Sequence, residues 1–184
     1  MAKLVSKTYG DALFDLAIEE KCVDAMTQEV ELVQKSFAEN PELSEIFANP
    51  DICKDEKIGL IERIFKGRVS DNMAGFLRIV VIKQRFGDLN AILNYFVARA
   101  KEYKKIGVAK VTSPTELSGE WKSKIEQKLL DTTGYTTMEM SYEVKPELIG
   151  GLIIRIGDTV VDSSIQSKLT EIRNSLMKTS LENK

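Results

Sequence analysis

The stretch "GGLIIRIGDTVVDSSIQSKL", residues 150–169, contains residue types that do chemistry in other proteins. Glycines next to aspartate and serine build phosphate cradles and nucleophile turns. Neither arrangement fits here. A phosphate loop of the Gly-x4-Gly-Lys-Ser/Thr kind holds its ligand with backbone N–H groups and a lysine. Gly151 and Gly157 stand one residue too far apart for that, and Asp158 sets a negative charge where phosphate would lie. G-x-G-x-x-G and G-x-S-x-G are absent.

Backbone geometry accounts for the same residues without chemistry. Leu152 to Ile156 reads as a strand, Gly157-Asp158 as a two-residue turn and Thr159 to Val161 as the return strand. Glycine opening the turn suits type II′ geometry, which needs positive φ there. This register puts Leu152, Ile154, Ile156 and Val161 on one face, and Ile153, Arg155, Val160 and Asp162 on the other. Arg155 and Asp162 are then diagonal neighbours, within reach of an ion pair. Asp162 or a following serine is expected to cap a final helix from about Ser163 to Lys178.

Other candidates for chemistry are sparse. The 184 residues include no histidine. That excludes Ser-His-Asp and Cys-His nucleophiles, H-E-x-x-H metal sites and histidine proton shuttles. Two cysteines, Cys22 and Cys53, cannot build a tetrahedral thiolate site and are expected as buried free thiols in a reducing compartment. Ser175-x-x-Lys178 has a β-lactamase-like spacing but lacks the S-D-N and K-T-G partners. No catalytic, cofactor-binding or metal-binding residue is therefore assigned.

The charge balance narrows the partners. Twenty-six basic residues face 28 acidic ones, for a net charge of −2, and both halves of the chain are mixed. The most basic stretch, "ARAKEYKKIGVAK", holds Arg99, Lys101, Lys104, Lys105 and Lys110, with Tyr103 available to stack. It reads as a solvated helix end, where lysines favour the C-terminal dipole. A helical nucleic-acid-binding or other adaptor module is the alternative, and the even charge argues against strong phosphate binding. "MAKLVSKTYG" has no long apolar run, and the longest aliphatic run is Ile79 to Ile82. No secretory signal, transit peptide or membrane span is expected, and the protein is read as soluble and cytoplasmic.

These residues must be positioned by the elements around them. The first hundred residues read as consecutive helices. Val5, Tyr9, Leu13 and Leu16 recur at helical spacing, and Val23, Met26, Val30, Val33 and Phe37 make one inward seam. Pro41 and Pro50 bracket "ELSEIFAN". Asp51 is expected to cap a fourth helix carrying Ile58, Ile61 and Phe65 and ending near Gly67. Ser70 and Asp88 precede two more. Past residue 105 the pattern changes. "KIGVAKVTS" and "YTTMEMSYEV" read as strands, with a helix between them that Ser118 caps and Gly134 ends. Trp121, on a polar stretch of that helix, is expected to pack on the sheet. The fold expected is α+β in two domains: residues 1–105, an all-α six-helix bundle, and residues 106–184, a small α/β domain with a β-hairpin and a terminal helix.

The pattern G-x-x-x-R-x-G-D-x-x-x-D-x-S, followed by helical leucines, resembles the C-terminal signature of the F-type ATP synthase delta subunit family, which includes the mitochondrial oligomycin-sensitivity-conferring protein. The matching positions are Gly151, Arg155, Gly157, Asp158, Asp162, Ser164 and Leu169. "YGDALFDLAIEE" resembles the family's first helix and "LRIVVIKQRFGDLNAIL" its fifth and sixth. With no transit peptide read at the start, the bacterial form is expected. The resemblance implies a non-catalytic stator subunit without cofactor, one copy per complex. It implies a place on the catalytic head at the cytoplasmic face of the cell membrane, without membrane insertion or nucleic acid, during proton- or sodium-driven ATP synthesis. The N-terminal domain would bind the N-terminal segment of an alpha subunit through the first and fifth helices, and the C-terminal domain would engage the C-terminus of the b-subunit stalk. Those two helices are apolar over much of their circumference, so each is either fully buried or in contact with something beyond its own bundle. Any one of the residues is more often bundle core, while for the two helices together a helix-in-groove site is expected. The groove residues expected are Tyr9, Ala12, Leu13, Leu16, Phe76, Ile79, Val80 and Lys83. Lys83 and Arg85, at the end of the fifth helix, are placed either to pair with acids on a partner or simply to be solvated.

Overall fold

The computed structural model describes residues 2–49 and 51–182, with side chains for residues 4–49 and 51–173. Pro50, the side chains of Ser175 and Lys178, and the last two residues lie outside the described residues. The chain divides into two compact units, Met1–Ala100 and Lys101–Lys184. Together they are a mixed α/β protein with eight α-helices and one four-stranded sheet among the described residues.

Six α-helices precede the first strand: α1 (Ala2–Glu19), α2 (Val23–Glu39), α3 (Pro41–Ala48), α4 (Lys54–Phe65), α5 (Asp71–Ile82) and α6 (Leu89–Tyr103). The stops are local. Lys21 and Gln84 adopt positive φ just past α1 and α5, and Gly67 does so past α4. Left-handed residues of this kind turn the chain out of a helix. The starts differ from simple capping. Ser70 Oγ accepts from Met73 N–H at the head of α5, while the Ser70 N–H and hydroxyl donate to the Glu29 carboxylate at 3.0 and 2.8 Å. One serine thus caps α5 and ties it to α2. Asp51 does not cap α4. The helix begins after Cys53, and the Asp51 N–H is held by the Asn49 side chain at 2.9 Å.

The seam on α2 is buried as its spacing predicts: Met26, Val30, Val33 and Phe37 lie in a core with Leu13, Phe65, Leu77, Ile92 and Phe96. Phe37 meets Phe47, Phe65 and Phe86 at centroid distances of 6.0, 5.9 and 5.2 Å. Each such side chain contributes about 1.5–3 kcal/mol of burial. The thiols are not buried as expected: Cys22 is half-buried and Cys53 exposed, because both precede helices at the surface.

The second unit has β1 (Ile106–Ser113), α7 (Gly119–Thr133), β2 (Thr137–Val144), β3 (Ile153–Ile156), β4 (Thr159–Asp162) and α8 (Ile165–Glu182). The strand order is β2-β1-β3-β4. β1 and β2 run parallel, joined through α7, while β1–β3 and β3–β4 are antiparallel. Ala109, Val111 and Met138 on one face and Ile125 of α7 are buried. The other face carries ion pairs, Lys110–Glu143 at 3.0 Å and Lys101–Glu139 at 2.6 Å. Hydrogen bonding from Lys110, then the charges of Lys110 and Lys145, holds the Glu143 carboxyl below its usual range. Trp121 does not pack on the sheet. It is 58% exposed, with the Lys124 ammonium 5.4 Å from its ring centre.

Candidate partner-binding surfaces

The eight groove residues separate by burial. Leu13, Phe76 and Val80 are 1%, 8% and 0% exposed, so they belong to the core and offer no surface to a partner. This corrects the expectation for those three. The apolar face that anchors a helix in its own unit is the stronger periodic signal, and they lie on it. Tyr9 and Leu16 are half-buried and Ala12 is exposed. Their spacing of 3 and 4 puts them along one flank of α1.

On α5 the outward residues are Ile79 and Ile82, 49% and 46% exposed, with Lys83 beyond them. Gly75 precedes Ile79 by one turn, and a Cβ built there would meet nothing within 4 Å. Gly75, Ile79 and Ile82 therefore make an open apolar strip with a gap where the backbone is bare. Asn72 of α5 donates to Glu20, just past α1, at 2.5 Å, which brings the start of α5 beside the end of α1. Arg85 pairs with Asp88 at 3.8 Å within the chain, so its expected role toward a partner is not supported. Leu4 and Ile18 are further exposed apolar side chains on α1, at 72% and 37%, that the sequence reading did not single out. Nor did it single out Gly75, although a glycine inside an apolar helix is itself a signal worth a packing explanation.

An open cleft of about 530 Å³ in the same unit is lined by residues including Phe47, Ile52, Cys53, Lys57, Val81 and Phe86. Of its two lysines, Lys54 and Lys57, the second is engaged: Lys57 Nζ donates to the carbonyls of Phe47 and Asn49, ending α3.

Five of the seven C-terminal motif residues fall into two structural jobs, while Arg155 and Leu169 stand exposed. Gly157 and Asp158 form the turn. Gly157 has φ 54°, Asp158 is not at positive φ, and Ile156 pairs with Thr159, as a II′ hairpin requires. Arg155 is exposed in mid-strand opposite Val160. Gly151, Asp162 and Ser164 meet at the head of α8. A Cβ on Gly151 would lie 2.3 Å from the Ser163 carbonyl oxygen. Asp162 accepts from the Ser164 N–H at 2.8 Å and the Ser167 hydroxyl at 2.7 Å, and fully buried Ser164 accepts from the Ser167 N–H at 3.2 Å. These bonds, the Ser167 one first, hold the Asp162 carboxyl below the ordinary range. Among the described residues no ion pair joins Asp162 to Arg155, because both carboxylate oxygens face the helix. Leu169 is 53% exposed on α8.

The basic stretch is largely committed within the chain. Lys101 and Lys110 pair with acids, and Arg99 lies 5.7 Å from the centre of the Phe14 ring. Among the described residues no cluster could hold a metal ion, and no helix is long and apolar enough to cross a membrane.

Known proteins place these features together. The family described as ATP synthase delta (OSCP) subunit matches residues 5–176. The ATP synthase subunit delta of Lachnoclostridium phytofermentans is 51% identical over 181 residues, 98% of this chain and 100% of that protein. That of Desulfitobacterium hafniense is 35% identical, covering 94% and 96% of the two chains. A chain in the structure of the Toxoplasma gondii mitochondrial ATP synthase hexamer shares the fold at a TM-score of 0.75, with 16% identity and coverage of 94% and 97%. By the family model and by its relatives, the chain belongs to the ATP synthase delta (OSCP) subunit family, the peripheral-stalk subunits of F-type ATP synthases.

Proposed function

We propose that the flank formed by Tyr9, Ala12 and Leu16 of α1 and Gly75, Ile79, Ile82 and Lys83 of α5 receives the amphipathic N-terminal segment of an alpha subunit. In this reading residues 1–105 act as a six-helix bundle and residues 106–184 engage the C-terminus of the b-subunit stalk. One copy then ties the catalytic head to the stalk at the cytoplasmic face of the membrane, so that the head stays still while the rotor turns. The role is mechanical, and it needs no catalytic group in this chain.

The carrying observation is the exposed pair Ile79 and Ile82 beside bare Gly75. Large aliphatic side chains at helical spacing, next to a gap that admits another backbone, suit a helix laid in a groove. A few apolar anchors would hold most of the energy. A charge in such a groove must be desolvated without a partner. Ile79→Asp is therefore expected to weaken binding of the alpha N-terminal peptide at least tenfold, about 1.4 kcal/mol. Lys35→Asp, on the far more exposed face of α2 where Lys35 pairs loosely with Glu39 at 3.7 Å, is expected to change it little. Titration calorimetry reads the affinity and circular dichroism checks the fold. A folded Ile79→Asp protein that binds as tightly as the parent places the groove elsewhere.

A further inference from the structure

The connection from β2 to β3 contains an unusual backbone. Ile149 has φ 65° and ψ −42°. The Gly150 N–H donates to the Leu148 carbonyl at 2.6 Å, closing a three-residue turn around Ile149. A γ-turn of positive φ is the rare, strained form. Isoleucine aggravates it, since a β-branched side chain crowds its own backbone there. Lys21, Gln84 and Lys105 also have positive φ, but they are unbranched at Cβ and follow α-helix ends. Ile149 is 68% exposed, so burial of its side chain offers no compensation.

The turn is held from both sides. Upstream, Leu148 is buried at 5% exposure. Downstream, the Gly150 carbonyl accepts from the Ile165 N–H at 3.0 Å, and Leu152 accepts from the Ser163 N–H at 2.9 Å. A Cβ on Gly150 would lie 2.5 Å from Ile165 Cδ1, and one on Gly151 would meet the Ser163 backbone. The start of α8 is thus seated on two glycines, against the Pro146–Leu148 turn. Further along, Ile165, Leu169 and Ile172 are 44%, 53% and 56% exposed. Between residues 165 and 172 the helix is held by its first turn rather than by its apolar stripe.

We propose that residues 145–151 form a strained latch for α8. Seating the first turn of α8 on Gly150 and Gly151 holds Ile149 in the γ-turn. Unseating it lets Ile149 relax, so the start of α8 detaches while the sheet stays folded. Strained dihedrals persist only where their surroundings over-determine them, and segments with few buried apolar contacts open first. The device does not depend on the identity of any partner.

Native-state amide exchange on the full chain tests it. The Ile165 and Ser167 N–H groups, bonded to the Gly150 carbonyl and Ser164 Oγ, report seating. The amides of Ala109 to Val111 report the sheet. Ile149→Gly and Ile149→Asn both accept positive φ and are expected to slow exchange at Ile165 and Ser167 at least threefold relative to the sheet. Ile149→Val keeps the branching and is expected to leave that ratio unchanged. Gly151→Ala is expected to speed the two α8 amides at least tenfold. If Ile149→Gly and Ile149→Asn leave the ratio at its parental value, the strain is local and the latch is overturned. That series decides the matter even if Gly151→Ala fails to fold.

Discussion

Unit 1 fully buries Leu13, Ile61, Phe65, Met73, Leu77, Ile92, Leu93 and Phe96, whereas the buried apolar side chains of unit 2 are Ala109, Val111, Ile125, Met138 and Leu148 among the described residues. At the same time unit 2 leaves Val144, Val160, Val161, Ile165, Leu169 and Ile172 at 44–56% exposure. The cause is layering. Helices packed around one another bury apolar stripes from several sides. A four-stranded sheet with α7 against β2 has fewer layers in which to bury its residues. Unit 2 compensates with backbone devices: a glycine turn, a serine–aspartate cap and two glycines beneath α8. Its integrity should therefore depend on φ angles and caps, and that of unit 1 on volume.

The sharpest way to break this contrast is a core deletion. Phe96 is 0% exposed and packs edge-on to Phe14 at 6.2 Å. Phe96→Ala is expected to cost about 3–5 kcal/mol in denaturant unfolding of unit 1. Exchange protection in β1 should survive. Loss of both together would show that the units do not fold separately.

A smaller effect is expected from Gly157→Val. The site has open space around it, so volume is not the issue, but φ is 54°. A β-branched residue there should strain unit 2 by about 1–3 kcal/mol. Amides of β3 and β4 should lose protection while those of α2 keep theirs. Unchanged hairpin exchange would mean that backbone conformation does not limit this unit.

The smallest effect is electrostatic. The Asp162 carboxyl sits below its ordinary value because the Ser167 hydroxyl and Ser164 N–H bond the charged form. A depressed carboxylate contributes stability above its unfolded pKa, about 3.9, which is lost as pH falls through the lower folded value. Carboxyl chemical shifts should give Asp162 a midpoint below that of an ordinary aspartate, and Ser167→Ala should move the midpoint upward. A midpoint indifferent to Ser167→Ala would remove the cap from the account of unit 2.

Much of this organisation is written locally. The alternation in residues 152–162, with Gly157-Asp158 between the halves, set the hairpin register, and the observed pairs Ile156–Thr159 and Ile154–Val161 follow from it. The 3-and-4 spacing on α2 named the buried seam, because side-chain direction along a helix depends only on its period. What the local pattern could not decide were the choices made by distant neighbours. Leu13, Ala12 and Ile79 look alike as apolar positions on helices, yet one is core and two face outward, since burial depends on what packs alongside. Asp162 had two partners within reach, Arg155 and the head of α8. The helix prevailed because the Ser164 N–H and the Ser167 hydroxyl both bond the carboxylate there in fixed geometry, while an exposed ion pair gains little. The order β2-β1-β3-β4, which slots the first strand between the second and third, and the positive φ of Ile149 likewise arise from chain segments meeting in space. Residue spacing fixes the elements and their faces. Tertiary packing alone assigns each face to core or surface, because that assignment is a property of pairs far apart in sequence.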